Sequence, residues 1–161
     1  MWQNLLDVLG KICVVYDNLA TIEEKKRDAL VGIDMDGLSK ILDEENLAAS
    51  KIQKLEKKRG SILQELAKSH AEINDSTKAE DFYKYAPSLA VEKRLLALHK
   101  TLTKNVERAM KLRDNNQILA QSALNAVQYH LNRLSGAAVE QTYGAGGKDI
   151  VTHQKKFDFN A

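Results

Sequence analysis

The chain has 161 residues, of which 29% are charged and 6% aromatic, with one proline and eight glycines. That length fits one domain, and a formal net charge of +2 is too small to demand a nucleic acid or other polyanion as partner. Cys13 is the only cysteine, which excludes an intrachain disulfide and a cysteine-built zinc site and fits a reducing compartment.

Asp7, Lys11 and Asp17 break up the N-terminal apolar residues, so no leader peptide is expected there. Nor does any stretch reach the roughly 18 apolar residues of a membrane span. The expected setting is the cytoplasm, without direct membrane insertion. Half of the glycines lie after residue 135, and the body before them is rich in Ala, Leu, Lys, Glu and Gln, all good helix formers.

In chain order, a first helix is expected over about 2–31. Leu5, Leu9, Ile12, Tyr16 and Leu19 follow the alternating four- and three-residue steps of a lengthwise packing seam. Val8, Val15, Ile22 and Ala29 make a second stripe, so two faces should be covered. The seam turns charged at Glu23-Glu24-Lys25-Lys26-Arg27. Gly32 and Asp34-Met35-Asp36-Gly37 then read as a turn, with Asp34 or Asp36 capping the next helix.

The second helix is expected over about 38–73, on the seam Leu38, Ile41, Glu45, Ala48, Ile52, Leu55, Arg59, Ile62, Leu66 and Ile73. Glu45 and Arg59 interrupt it, either at boundary positions reaching water or paired with another helix. Gly60, in mid-helix, costs about 1 kcal/mol relative to alanine unless it marks a close helix approach. Residues 74–88 form the interior linker. Its Phe82-Tyr83-Lys84-Tyr85 group is expected as a helical turn plugging the bundle end, before Pro87 and a capping Ser88.

The third helix, over about 89–135, would be roughly 70 Å long. Its apolar positions include Leu95, Leu98, Leu102, Val106, Met110, Leu112, Leu119, Ala123, Val127 and Leu134, and it carries eight basic against three acidic residues. Lys100, Lys104, Arg108 and Lys111 share one face, either solvated or a docking surface for an acidic protein. The fold expected is all-α: an antiparallel bundle of three long helices with coiled-coil-like packing in residues 1–136, followed by a flexible, partner-binding tail in 137–161.

No catalytic constellation emerges. His70, His99, His130 and His153 lack a glutamate three residues before them, so the Glu-x-x-His pattern of di-iron bundles is missing. Gly147-Lys148 has Thr142 where a phosphate loop needs its first glycine. No cofactor and no metal are expected. What remains is an apolar excess after Asn115: Ile118, Leu119, Ala123, Ala126, Val127, Leu131 and Leu134 exceed what one seam requires. The small Ala120, Ala123 and Ala126 would allow a partner helix to approach closely.

Several pieces of the chain are similar to the flagellar export chaperones of the FlgN type. Weak matches are Glu23-Glu24 with Ala29-Leu30, Glu44-Glu45, and Leu55-Glu56-x-x-Arg59. Stronger ones are Asn115-Asn116-Gln117-Ile118-Leu119, which resembles that family's Asn-rich step, and Thr142-Tyr143-Gly144-Ala145-Gly146-Gly147, which resembles its Thr-x-Tyr-Gly-x-x-Gly tail without the spacer after the threonine.

The resemblance implies a non-enzymatic cytosolic chaperone that binds the C-terminal helices of hook-associated proteins, prevents their premature association and delivers them to the export gate. It places cargo on Asn115, Asn116, Ile118, Leu119, Ala123, Val127, Leu131, Leu134 and Val139. Docking to the cytoplasmic domain of the export-gate membrane protein falls to Thr142, Tyr143 and Gly144. A monomer or weak dimer is expected, and the competing reading is a structural or adaptor coiled coil working through helix association or homodimerisation.

Overall fold

The computed structural model describes residues 1–68, 70, 73 and 77–140, with side chains to residue 136. Four helices follow in order: α1 (Trp2–Gly32), α2 (Met35–Ala67), α3 (Ala79–Tyr83) and α4 (Leu89–Glu140). The all-α expectation holds, with three long helices and a five-residue fourth one, and no strand among the described residues. The chain divides into two compact units, Met1–Ser122 and Ala123–Ala161.

In the first unit the α1 seam is buried as its spacing requires. Leu5, Val8, Leu9 and Ile12 are fully enclosed, and Ile22 and Ala29 extend the second stripe. One apolar cluster takes Leu5, Leu9 and Ile12 from α1, Ile62 and Leu66 from α2, Phe82 and Tyr83 from α3, and Leu95 and Leu102 from α4. Enclosing a leucine or isoleucine of this kind contributes about 1.5–3 kcal/mol, and such shared seams stabilise helices that would be marginal alone.

α1 and α2 run antiparallel: near their link Lys26 Nζ donates to Glu45 Oε2 at 2.6 Å, and farther from it Leu6 and Gly10 share a groove with Lys54 and Leu55. Lys25 lies 3.7 Å from Glu44 beside the first pair. Glu45 therefore breaks the α2 seam because a lysine of α1 meets it. Arg59 is the other expected case, a boundary residue paired with Glu56 on its own helix at 2.8 Å. Gly60 marks no close approach, since a Cβ added there would meet nothing within 4 Å.

The α1–α2 link is short because both ends are capped. Ile33 takes a left-handed conformation (φ 55°, ψ 36°), and the Asp34 amide donates to Ala29 O at 3.0 Å. The Asp34 carboxylate accepts from the Gly37 amide at 2.9 Å, capping α2. A β-branched residue at positive φ is strained; the sequence offers Gly32 for that role, but the left-handed turn falls one position later.

Four boundaries differ from expectation. α2 begins at Met35 rather than 38, so Met35-Asp36-Gly37, expected in the turn, form its first residues behind the Asp34 cap. α2 stops at Ala67 instead of running to 73; past its end His70 N donates to Ala67 O and Ile73 N to His70 O. Ile73 still packs against the core from outside the helix, so the periodicity marks a core residue there and not a helical one. The helical turn in the linker begins at Ala79, and its Phe82 and Tyr83 are buried as the expected plug. α4 continues through Gly136 to Glu140, five residues past the expected end and into the expected tail. A single glycine costs a helix only about 1 kcal/mol, and Ala137-Ala138 restore the best helix former immediately after it.

Ile33 is 79% exposed, so exchanging its side chain removes strain and almost no packing. Ile33→Gly should raise stability by about 1 kcal/mol, measured as a higher urea midpoint at unchanged slope.

Candidate partner-binding surface

Helix α4 carries a strict heptad seam that its general apolar pattern conceals. Leu95, Leu102, Ala109 and Asn116 recur every seven residues and are all buried, at 0%, 6%, 2% and 2% exposure. Leu98, Asn105, Leu112 and Leu119 fill the intervening positions and are half-buried. Alternating steps of three and four residues keep such a seam facing one neighbour. Met110, counted into the seam from sequence, is 55% exposed; Ala109 holds that turn instead.

The two asparagines in the seam both reach α1. Asn105 Nδ2 donates to Cys13 O at 3.0 Å. Asn116 Nδ2 donates to Glu23 O and to Glu23 Oε2, both at 2.8 Å. Between them Arg108 bonds Asp17 at 3.2 Å and Glu24 at 2.8 Å. The contacts from 13 to 105, 17 to 108 and 23 to 116 climb both helices together, so α4 runs parallel to α1 at a nearly constant offset. Arg108 is thus taken out of the basic row it shares with Lys100, Lys104 and Lys111 and spent on α1 carboxylates.

Glu23 is fully buried. Its Oε2 is held by Asn116, while its Oε1 has no hydrogen-bond partner. Removal from water raises the carboxyl's pKa; the Asn116 bond and nearby Lys26 act against that shift, and nearby Glu45 adds to it. The charged run from Glu23 to Asp28 gives no sign that its first member is enclosed, because in sequence Glu23 looks like the solvent-reaching residues after it.

The expected cargo residues separate into distinct environments. In the first unit Asn115 is exposed, Ile118 is 66% exposed and Leu119 completes the inner seam. Asn116 departs from its expected place on the binding surface: it is buried and its amide is committed to Glu23, because it occupies the heptad position after Ala109.

In the second unit Ala123 is exposed, and Val127, Leu131 and Leu134 are 55%, 59% and 68% exposed. Leu124, at 51%, belongs with them and was missed. At 100° per residue these five positions fall within an arc of roughly 100°. Of these only Ala123 prolongs the inner seam, which would continue as Ala123, Ala126, His130 and Arg133. The large apolar residues move to Leu124, Val127, Leu131 and Leu134, one residue on, which turns the stripe about 100° around the helix. Tyr129, 61% exposed and in edge contact with the His130 ring at 5.6 Å, stands off this stripe. Val139 lies in the helical backbone, beyond the described side chains; Thr142, Tyr143 and Gly144 lie outside the described residues.

Two measurements test the buried clasp. Asn116→Ala leaves Glu23 O and Oε2 enclosed without their donor and should cost about 1–3 kcal/mol in urea unfolding. Because the Glu23 pKa is raised on folding, the native state holds the proton more tightly, so this group's contribution to stability falls as pH rises from the ordinary value of 4.5 through the raised one. Glu23→Gln should therefore match the wild type in acid, then gain on it steadily as pH rises towards neutrality. Parallel stability–pH curves for the two proteins would contradict that account of Glu23.

No helix among the described residues is long and apolar enough to cross a membrane, and no three His, Cys, Asp or Glu side chains among them gather as a metal site. No curated protein and no solved structure matches the chain. The model of the FlgN protein family matches residues 1–149, covering every described helix and the stretch around Tyr143. The chain belongs to the FlgN family, whose role is that of a flagellar export chaperone.

Proposed function

We propose that this chain is a cytosolic chaperone which holds the C-terminal helices of hook-associated proteins and hands them to the export gate of the flagellar type III apparatus. The observation that carries this reading is the exposed stripe of Ala123, Leu124, Val127, Leu131 and Leu134. A subunit that assembles through amphipathic terminal helices needs its apolar stripe covered until delivery. A second apolar stripe at matching helical spacing covers it without chemistry, by helix-in-groove or helix-on-helix contact. Arg133 is the only charged residue between Ala123 and Gly136, so little desolvation of charge opposes the contact.

Val139 and the Thr142-Tyr143-Gly144 segment follow directly. In this reading the stripe takes cargo, while Tyr143 docks to the cytoplasmic domain of the gate protein. That separation lets the loaded chaperone be received without cargo being released first. Membership of the FlgN family over residues 1–149 supports the assignment of both parts to one chaperone.

Val127→Asp with Leu131→Asp places two charges in the centre of the stripe. It should weaken binding of a hook-associated C-terminal helix by at least about 100-fold while leaving helical circular dichroism unchanged. Undiminished binding by titration calorimetry would remove the stripe from the cargo site. Tyr143→Ala should keep cargo affinity and lower secretion of hook-associated proteins; loss of cargo binding in a pull-down would show that the two roles are not divided this way. Light scattering addresses the adaptor reading: a monomer forming a one-to-one complex supports the chaperone, and a tight dimer indifferent to the peptide supports homodimerisation through the same stripe.

A further inference from the structure

A second apolar surface lies entirely within the first unit. The outer side of the α1–α2 pair holds an open groove of about 730 Å³. Leu6, Val15 and Leu55 supply its apolar floor, and Val14 stands in it at 69% exposure. Gly10 lines it as well. Glycine is the costliest residue in a helix interior after proline, and nothing among the described residues calls for it: a Cβ there would meet none of their atoms within 4 Å. The missing side chain therefore serves no contact among the described residues. It leaves a notch in the groove where another backbone can come close.

The banks are charged unevenly. On the α1 side Lys11 is neutralised by Asp7 at 2.7 Å. On the α2 side Lys51 and Lys54 line the groove, and Lys58, one turn further, continues the row on helical spacing. All three are exposed, and no ion pair joins them to a carboxylate among the described residues. Leu47, 58% exposed and one turn before Lys51, extends the apolar side. Towards the α1–α2 turn, the Lys25–Glu44 pair joins the two helices.

We propose that this groove docks an amphipathic helix of a partner protein whose apolar stripe is flanked by aspartate or glutamate. The stripe would lie over Gly10 between Val14 and Leu55, and the acidic flank would face Lys51, Lys54 and Lys58. A second copy of this chain fits poorly. Symmetric pairing of these faces would set the lysine row against itself, and α4 is itself predominantly basic. The partner is accordingly a different, acidic-edged chain, and the chaperone carries two separate helix-binding surfaces.

The test is fluorescence anisotropy of the full chain with two labelled peptides of about 20 residues. Both carry the same leucine stripe; one has glutamate flanks and the other lysine flanks. The glutamate peptide should bind at least about tenfold more tightly, with an affinity that falls as salt rises. Gly10→Leu fills the notch and should weaken that binding at least tenfold with the helical signal intact. Lys51→Glu with Lys54→Glu, on the exposed bank, should reverse the preference between the peptides.

Equal affinity for both peptides overturns the proposal. So does affinity that survives both the filled notch and the charge reversal, or that is lost only with Val127→Asp and Leu131→Asp, which would place the peptide on the distal stripe. Capture of the chain by phosphatidylserine vesicles but not by the glutamate peptide overturns it in favour of a lipid surface.

Discussion

The constraint on which the structure most depends is the register between α1 and α4, and polar groups fix it. Leucine seams permit sliding by a heptad at modest cost, whereas an enclosed amide that must find one particular carbonyl does not. Asn116, enclosed on Glu23, is such a lock, and the half-buried Asn105 on Cys13 O adds a second polar tie on the same pair of helices. The groups they join are 92 and 93 residues apart in sequence. The α1–α2 pair closes through a link of two residues, Ile33 and Asp34, so it can form locally. The parallel α1–α4 contact must await closure of a long loop and is the slower event in assembly.

Burial of Glu23 beside Asn116 follows from that arrangement and has a cost. A carboxylate with one oxygen held and the other unpartnered is a poor stabiliser. Its place at the end of the Leu95–Leu102–Ala109–Asn116 series makes it better understood as a marker of position than as a source of stability. Beyond Leu119, one step further on, the large apolar residues leave the inner seam and move around the helix. The polar position thus lies close to the change from the part of α4 that serves the chain's own core to the part whose apolar side chains are exposed.

Much of the fold was legible because its signals are periodic. Leu5, Leu9 and Ile12 announced a buried seam, Asp34 a cap, and Phe82 and Tyr83 an aromatic plug, each from spacing or local chemistry alone. What escaped was non-local. Met110 and Ala109 both fit a helical repeat, and only the neighbouring helix decides between them. Asn116 looked like a surface asparagine because nothing in the sequence brings Glu23 to it. Leu124 was passed over since Ala123 continued the inner seam equally well, and the end of α2 at Ala67 was hidden because Ile73 kept the beat of the seam from a non-helical position. The end of α4 was set too early because one glycine, Gly136, does not outweigh the alanines after it.

The aromatic end of the first unit gives the molecule an internal optical gauge. Trp2 is the only tryptophan, and its ring lies 5.6 Å from that of Phe82 in a tilted arrangement. Phe82 in turn meets Tyr83, which contacts His99 of α4. Since Trp2 opens α1 and Phe82 belongs to the short α3, the indole's emission senses whether α3 is seated on α1. Time-resolved tryptophan fluorescence can therefore follow the docking of this small plug separately from the helical content of the long helices, without adding a label.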